Sequence, residues 1–241
     1  MTSGSIISLH NVGVAYLRSR RIWRQDTFWA LKNVSFELYQ GEVLGIVGRN
    51  GAGKSTLLQL LADIIRPDRG TLRNSGVRAE LLSLRLGFIP HLSGRENVIL
   101  SGLLLGYRRA DLLKKMDDIV CFAELEAFID QPLKTYSSGM GARLGFSVAL
   151  QLNADVLLID EVLGVGDSEF REKSAKALRQ KIKSGMTAVL VSHSAGLVRQ
   201  LCDRAVWIEH GETVMEGDAE TVMKAYTGSM NTPAKAVTVR P

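Results

Sequence analysis

Hydrophobic and polar residues alternate near the start of this chain and then stop alternating. Residues 7–16 (ISLHNVGVAY) and 33–38 (NVSFEL) alternate apolar and polar side chains, the first with one step out of phase at Asn11, which predicts two half-buried antiparallel strands. EVLGIVG, residues 155–161 (DVLLIDE) and residues 187–193 (TAVLVSH) are short unbroken apolar runs, as expected of strands buried on both faces. GKSTLLQLLADII and SEFREKSAKALRQKI lie among them and repeat apolar residues three and four apart, the period of a helix with one buried face. Buried strands alternating with helices predict an α/β fold: a mainly parallel sheet flanked by helices, with an antiparallel β-part at the N-terminus.

The stretch from about 92 to 150 reads as a helical subdomain. Ser93 and Glu96 in SGRE have capping-box spacing, which predicts a helix start running into NVILSGLLLG, weakened by Gly102 and Gly106. Residues 1–228 read as one domain and 229–241 as a flexible tail of small and polar residues.

Composition narrows the class. With 241 residues, 46% hydrophobic and 23% charged, the chain has the profile of a soluble globular protein with ample core. Cys121 and Cys202 lack metal-ligand spacing and are expected to fill space in a reducing compartment. No stretch reads as a signal peptide or reaches the roughly 20 apolar residues of a spanning helix, so a cytoplasmic chain is expected. The net charge is +5, and the densest basic cluster is residues 18–25 (RSRRIWRQ), read as a solvated loop between two strands, with contact to lipid headgroups or an acidic partner as the alternative.

Candidate chemistry begins at GRNGAGKST. Gly48, Gly53, Lys54 and Ser55 fill the fixed positions of a phosphate loop, between a predicted strand and a predicted helix. Asn50, Gly51 and Thr56 complete it. Glycines let backbone N–H groups turn inward on phosphate oxygens, Lys54 reaches the β- and γ-phosphates, and the Ser55 hydroxyl suits Mg²⁺. VLLIDE delivers Asp160 to the carboxyl end of a buried strand, where a carboxylate can hold Mg²⁺. Glu161, turned the other way, is placed to orient or deprotonate an attacking water. His193 ends the third buried run, where it is either an ordinary polar residue or a γ-phosphate contact. A second glycine-rich turn, YSSGMGARLGF at 136–146, opens another helix with Ser137, Ser138 and Gly139, as a simple cap or as a second phosphate contact.

In order, GRNGAGKST, YSSGMGARL, VLLIDE, GVGD and VSHS resemble the ATP-binding subunit of an ABC transporter over about residues 6–220. The resemblance implies an ABC ATP-binding domain over 1–228 that takes ATP with Mg²⁺. It also implies that Ser137, Ser138 and Gly139 close over the ATP of a second copy of the chain. By the same resemblance Tyr16 is the aromatic that stacks on adenine, with Trp23, Phe28 or Trp29 as alternatives, and Asp167 of GVGD links the two sites of the dimer. His91 of LGFIPH stands where the family has a glutamine, a departure that argues against a metal-ligand role there. YSSGM, DEVLGVGD and GFIPHLSGREN resemble the branch that exports polysaccharides such as O-antigen, capsule and teichoic acid. That implies an ATPase peripheral to the cytoplasmic face of the inner membrane, an integral membrane permease as partner, a lipid-linked glycan as cargo and no nucleic acid. The alternatives are the ATPase of another exporter, or a soluble ABC-type ATPase acting on nucleic acid. A GTPase is disfavoured because no N-K-x-D motif occurs.

Overall fold

The computed structural model describes residues 4–21, 24–82, 87–152, 154–160, 166–192 and 194–231, with backbone alone for 18–21, 24–26 and 231. In chain order the elements are β1 (Ser5–Arg21), β2 (Arg24–Tyr39), β3 (Val43–Val47), α1 (Lys54–Leu61), β4 (Arg69–Asn74) and β5 (Ala79–Leu81). Then come α2 (Gly94–Leu104), α3 (Arg109–Ala123), a 3-10 turn (Leu133–Thr135), α4 (Ser138–Gln151), β6 (Val156–Ile159) and α5 (Ser168–Lys183). The chain continues through β7 (Thr187–Val191), α6 (Ala195–Leu201), β8 (Arg204–Glu209), β9 (Glu212–Asp218) and α7 (Ala219–Asn231). Contacts divide it into two compact units.

The first unit comprises Met1–Leu57, Arg66–Ser75 and Leu190–Pro241. Its strands run in the order β4-β1-β2-β9-β8-β3. β1 and β2 pair antiparallel, Leu9 opposite Phe36 and Val12 opposite Val34, and these four side chains are buried, as the alternation predicts. Every residue of β3 is buried, and β3 runs parallel to β8. β8 and β9 form a hairpin across His210 and Gly211, both at positive φ (51° and 80°), the backbone of a tight primed turn.

One expectation is corrected here. The described residues of the basic cluster are strand rather than loop: backbone pairing continues to Ser19↔Asp26, Arg20↔Gln25 and Arg21↔Arg24, so the two strands carry all four of its arginines. Strand pairing needs only backbone N–H and C=O groups, so it propagates through a polar segment that periodicity reads as a loop.

The second unit comprises Leu58–Ile65 and Gly76–Val189. β5 lies parallel to β6, with Glu80 opposite Leu157. α2, α3 and α4 enclose a core of Val98, Leu112, Met116, Ile119, Leu144 and Val148, each worth about 1.5–3 kcal/mol when fully buried. The predicted capping box is present: Ser93 Oγ accepts from Glu96 N, and the Glu96 carboxylate accepts from Ser93 N at 2.8 Å. Gly102 belongs inside α2 for a packing reason, because a Cβ there would come within 2.2 Å of Leu112. Gly106 lies past the helix end at φ +84°. Phe170 of α5 packs edge-on against Phe122 and Phe146.

Cys202 is buried, and burial pushes its thiol up to about 12, which makes it an inert filler. Cys121 is exposed, contrary to the space-filling expectation, because it falls on the outer face of α3, between the buried Val120 and Ala123. No helix among the described residues is long and apolar enough to cross a membrane.

Candidate nucleotide site

The phosphate loop is fixed by backbone freedom and by the walls around it. Gly48 has φ +154°, and a Cβ there would come 2.1 Å from the Ile208 carbonyl oxygen. Gly53 has φ +103°, and its Cβ would meet the Ala30 carbonyl at 2.6 Å. Between them Ala52 N donates to Arg49 O at 3.1 Å, closing a turn with Gly51 at φ +80°. Ala52 O accepts from Gly211 N at 3.2 Å, and Gly211 O accepts from Lys32 N and Asn33 N, so the β8–β9 turn ties the loop to β2. Only glycine accepts both the dihedrals and the proximity at 48 and 53.

Lys54 opens α1 and is buried, its Nζ donating to Gly48 O at 2.7 Å and Arg49 O at 2.9 Å. The ammonium therefore sits inside the curl of the loop. Ser55 is exposed and Thr56 half-buried in the first helical turn, with Asn50 and Gly51 exposed at the tip. This is a concave, cationic helix N-terminus suited to phosphate. Tyr16 lies opposite Phe28 in the same unit, and both rings are exposed, 41% and 48%. Trp29 is half-buried, with the Arg69 guanidinium 4.3 Å over its ring, which engages it away from a ligand role. Trp23 lies outside the described residues.

The second glycine-rich turn belongs to the second unit and is built differently. Ser137 is the N-cap of α4: its backbone is extended (φ −64°, ψ 162°) and its Oγ accepts from Met140 N at 3.1 Å. Ser138 and Gly139 follow in the first turn, with Ser137 and Ser138 exposed. Asp160 is half-buried directly after the fully buried β6. Asp167 caps α5, accepting from Phe170 N at 2.9 Å. That N–H, then the Arg143 guanidinium 3.8 Å away, holds its carboxyl below the usual range.

Sequence reasoning passed over Arg143. It stands on α4, donates to Ala123 O at 2.9 Å, and ion-pairs with Glu124 and Asp167, so it joins the helix behind Ser137 to α3 and α5. Lys173 adds a 2.7 Å bond to Glu124 and with Arg143 keeps that carboxyl below its ordinary value. Its only sequence trace was a basic residue inside an otherwise apolar helix. His91 is exposed in a short irregular segment before α2. Glu161 and His193 lie outside the described residues.

A family model described as ABC transporter matches residues 31–164, more than half of the chain. The chain belongs to the ABC transporter family. It is 44% identical over 213 residues to the O-antigen export system ATP-binding protein RfbB of Klebsiella pneumoniae, covering 88% of this chain and 87% of that one. It is 44% identical over 200 residues to the teichoic acids export ATP-binding protein TagH of Enterococcus faecalis, covering 83% of this chain but 44% of that protein. Among solved structures, the ATP-binding cassette MJ0796, a dimer in a post-hydrolysis state bound to ADP and Pi, aligns with TM-score 0.72 at 25% identity, over 88% of this chain and 98% of that one. The resemblance carried by the five ordered motifs thus names the right family, and the α/β nucleotide-binding fold expected of it is the one observed.

Proposed function

We propose that this chain is the ATP-hydrolysing subunit of an exporter of lipid-linked polysaccharide, working with a separate membrane subunit at the cytoplasmic face of the inner membrane. The observation that carries the reading is an intact phosphate loop in a chain that aligns along most of its length with an O-antigen export ATP-binding protein.

The chemistry follows from the residues. The backbone N–H groups of 48–56 and the Lys54 ammonium neutralise the β- and γ-phosphates of ATP. Ser55 and Asp160 are an alcohol and a carboxylate, the hard oxygen donors that would hold the Mg²⁺ accompanying ATP. That ion would draw negative charge from the phosphate oxygens. Glu161 would orient or deprotonate the attacking water, and His193 would contact the γ-phosphate. Tyr16, with Phe28 opposite it, offers an exposed aromatic face for adenine.

Ser137, Ser138 and Gly139 serve the ATP of a second copy. The Ser137 hydroxyl accepts from Met140 N and keeps its own hydrogen for a γ-phosphate oxygen, while the α4 N-terminus presents its positive end. Two chains then sandwich two ATP molecules, hydrolysis reopens them, and the membrane subunit converts the motion into export.

In cells carrying only Glu161→Gln, ATP binding is expected to persist while turnover stops. Mass spectrometry of membrane fractions should find long lipid-linked glycan trapped on the cytoplasmic side. Normal surface glycan with nothing trapped would remove the polysaccharide reading and turn attention to another exported cargo or to nucleic acid.

A further inference from the structure

The segment 89–93, which holds the exposed His91, has no regular secondary structure, yet one side chain fixes it. Asn97, in the first turn of α2, is 0% exposed. Its Oδ1 accepts from Ile89 N at 2.6 Å. Its Nδ2 donates to the carbonyls of Ile89, Leu92 and Ser93 at 3.1, 3.1 and 2.9 Å. An amide is required here, because it alone presents an acceptor to the one N–H and two donors to the cluster of carbonyls.

The far side of the same segment grips the chain just ahead of Ser137. Lys134 N donates to Pro90 O at 2.8 Å and Leu133 N to Leu92 O at 2.9 Å. Ser93 bridges Pro132, Gly94 N donates to Gln131 O at 3.2 Å, and Arg95 N to Ile129 O at 2.9 Å. The Tyr136 hydroxyl donates to Phe128 O at 2.7 Å and lies where a Cβ on Gly94 would be 2.4 Å from it. A pocket of about 280 Å³ is walled from both sides, by Phe88 and Pro90 and by Leu133, Tyr136 and Ser137.

We propose that Asn97 is a positioning residue that locks the His91 segment to the 132–137 turn, so that the two move as one body and displacement of the His91 segment displaces Ser137. Through Ser137 this sets how readily two copies close on ATP, a step that rests on the function proposed above.

The test uses the full chain in the Glu161→Gln background. Asn97→Asp keeps the acceptor for Ile89 N but turns a second oxygen against three carbonyls. Amide exchange at Leu133, Lys134 and Met140 is expected to accelerate about tenfold or more. ATP affinity of the dilute monomer should stay within about twofold, while the ATP concentration that half-dimerises the chain rises about tenfold. A merely structural role would lower affinity and dimerisation together. Leu133→Pro, which deletes the Leu133 N to Leu92 O bond, guards against misfolding. Pro132, at φ −61° and ψ 138°, is already in the region that a following proline demands. This variant should weaken dimerisation in the same direction.

Unchanged dimerisation in the folded variants, or exchange that rises at Lys134 but not at Met140, would overturn the linkage. Should the Glu161→Gln parent stay monomeric in ATP, the ATP-sandwich reading fails instead. Exchange then decides the linkage alone: Lys134 and Met140 accelerating together support it, and Lys134 alone contradicts it.

Discussion

The two glycine-rich turns of this chain look alike in sequence and are built by different physics. The phosphate loop at 48–56 depends on backbone freedom: glycines at positive φ are pressed against carbonyls of β2 and β8, and a buried lysine is held by the loop itself. The turn at 136–139 depends on side-chain capping. Ser137 satisfies the helix start at ordinary dihedrals, and among the described residues only its Oγ, 3.8 Å away, approaches the place of a Cβ on Gly139. Gly48 and Gly53 are therefore demanded by this chain's own fold, whereas Gly139 is not. The open space beside Gly139 is where the proposed sandwich would bring the phosphate of another copy's ATP.

Mutations at matched positions should break the likeness. The largest effect is expected from Gly48→Ala, whose methyl would meet the Ile208 carbonyl at 2.1 Å. The loss should be about 3 kcal/mol or more of stability, and nucleotide binding with it, read by denaturant unfolding and ATP titration. Gly139→Ala should do the opposite to stability, gaining about 0.5 kcal/mol because alanine suits a helix better. Its ATP turnover should nevertheless fall about tenfold or more, since the methyl crowds an N-terminus meant for phosphate. Undiminished turnover would mean the turn is only a cap.

A smaller and pH-dependent effect is expected away from both turns. Both carboxyl oxygens of Glu80 and the Tyr107 hydroxyl are buried, and among the described residues none of these atoms has a partner at good hydrogen-bond geometry, although the hydroxyl lies near enough to Glu80 to pull on its carboxyl. Burial raises the Glu80 carboxyl above its ordinary value, against the pull of Tyr107, Arg78 and Lys181. A carboxyl raised in the folded state contributes stability that is present below its unfolded value and lost as pH rises through the folded value. Glu80→Gln should therefore match the wild type near pH ~4, below the unfolded value, and exceed it increasingly as the pH rises toward ~8 in thermal or denaturant unfolding. A gap that widens toward acid would contradict the assignment.

Much of this architecture was legible because burial leaves a pattern. The unbroken apolar runs fell on β3, β6 and β7, and the Ser93–Glu96 spacing fell on a helix start. β4 (RGTLRN) and β9 (ETVMEGD) were passed over because they carry too few apolar side chains; backbone pairing, to β1 and β8 respectively, makes them strands. The loop at 48–56 was legible from its glycine spacing, since the dihedrals and close approaches at Gly48 and Gly53 exclude other residues. Asn97 and Arg143 were not. Their roles depend on carbonyls and carboxylates brought to them by folding, and a polar residue in a helix carries no mark of the partner it will find.

The central claim is that the 136–139 turn completes a site on another copy, and mixing two dead variants tests it most directly. Lys54→Ala removes the phosphate grip, and Gly139→Glu blocks the turn; each alone should be inactive. If the turn acts on its partner's ATP, a mixed dimer keeps one intact site. ATP hydrolysis in an equal mixture should then recover to about a quarter of the wild-type rate, half the dimers being mixed with one site of two. A mixture as dead as its components would mean that each chain's turn serves its own nucleotide, and the sandwich account would be wrong.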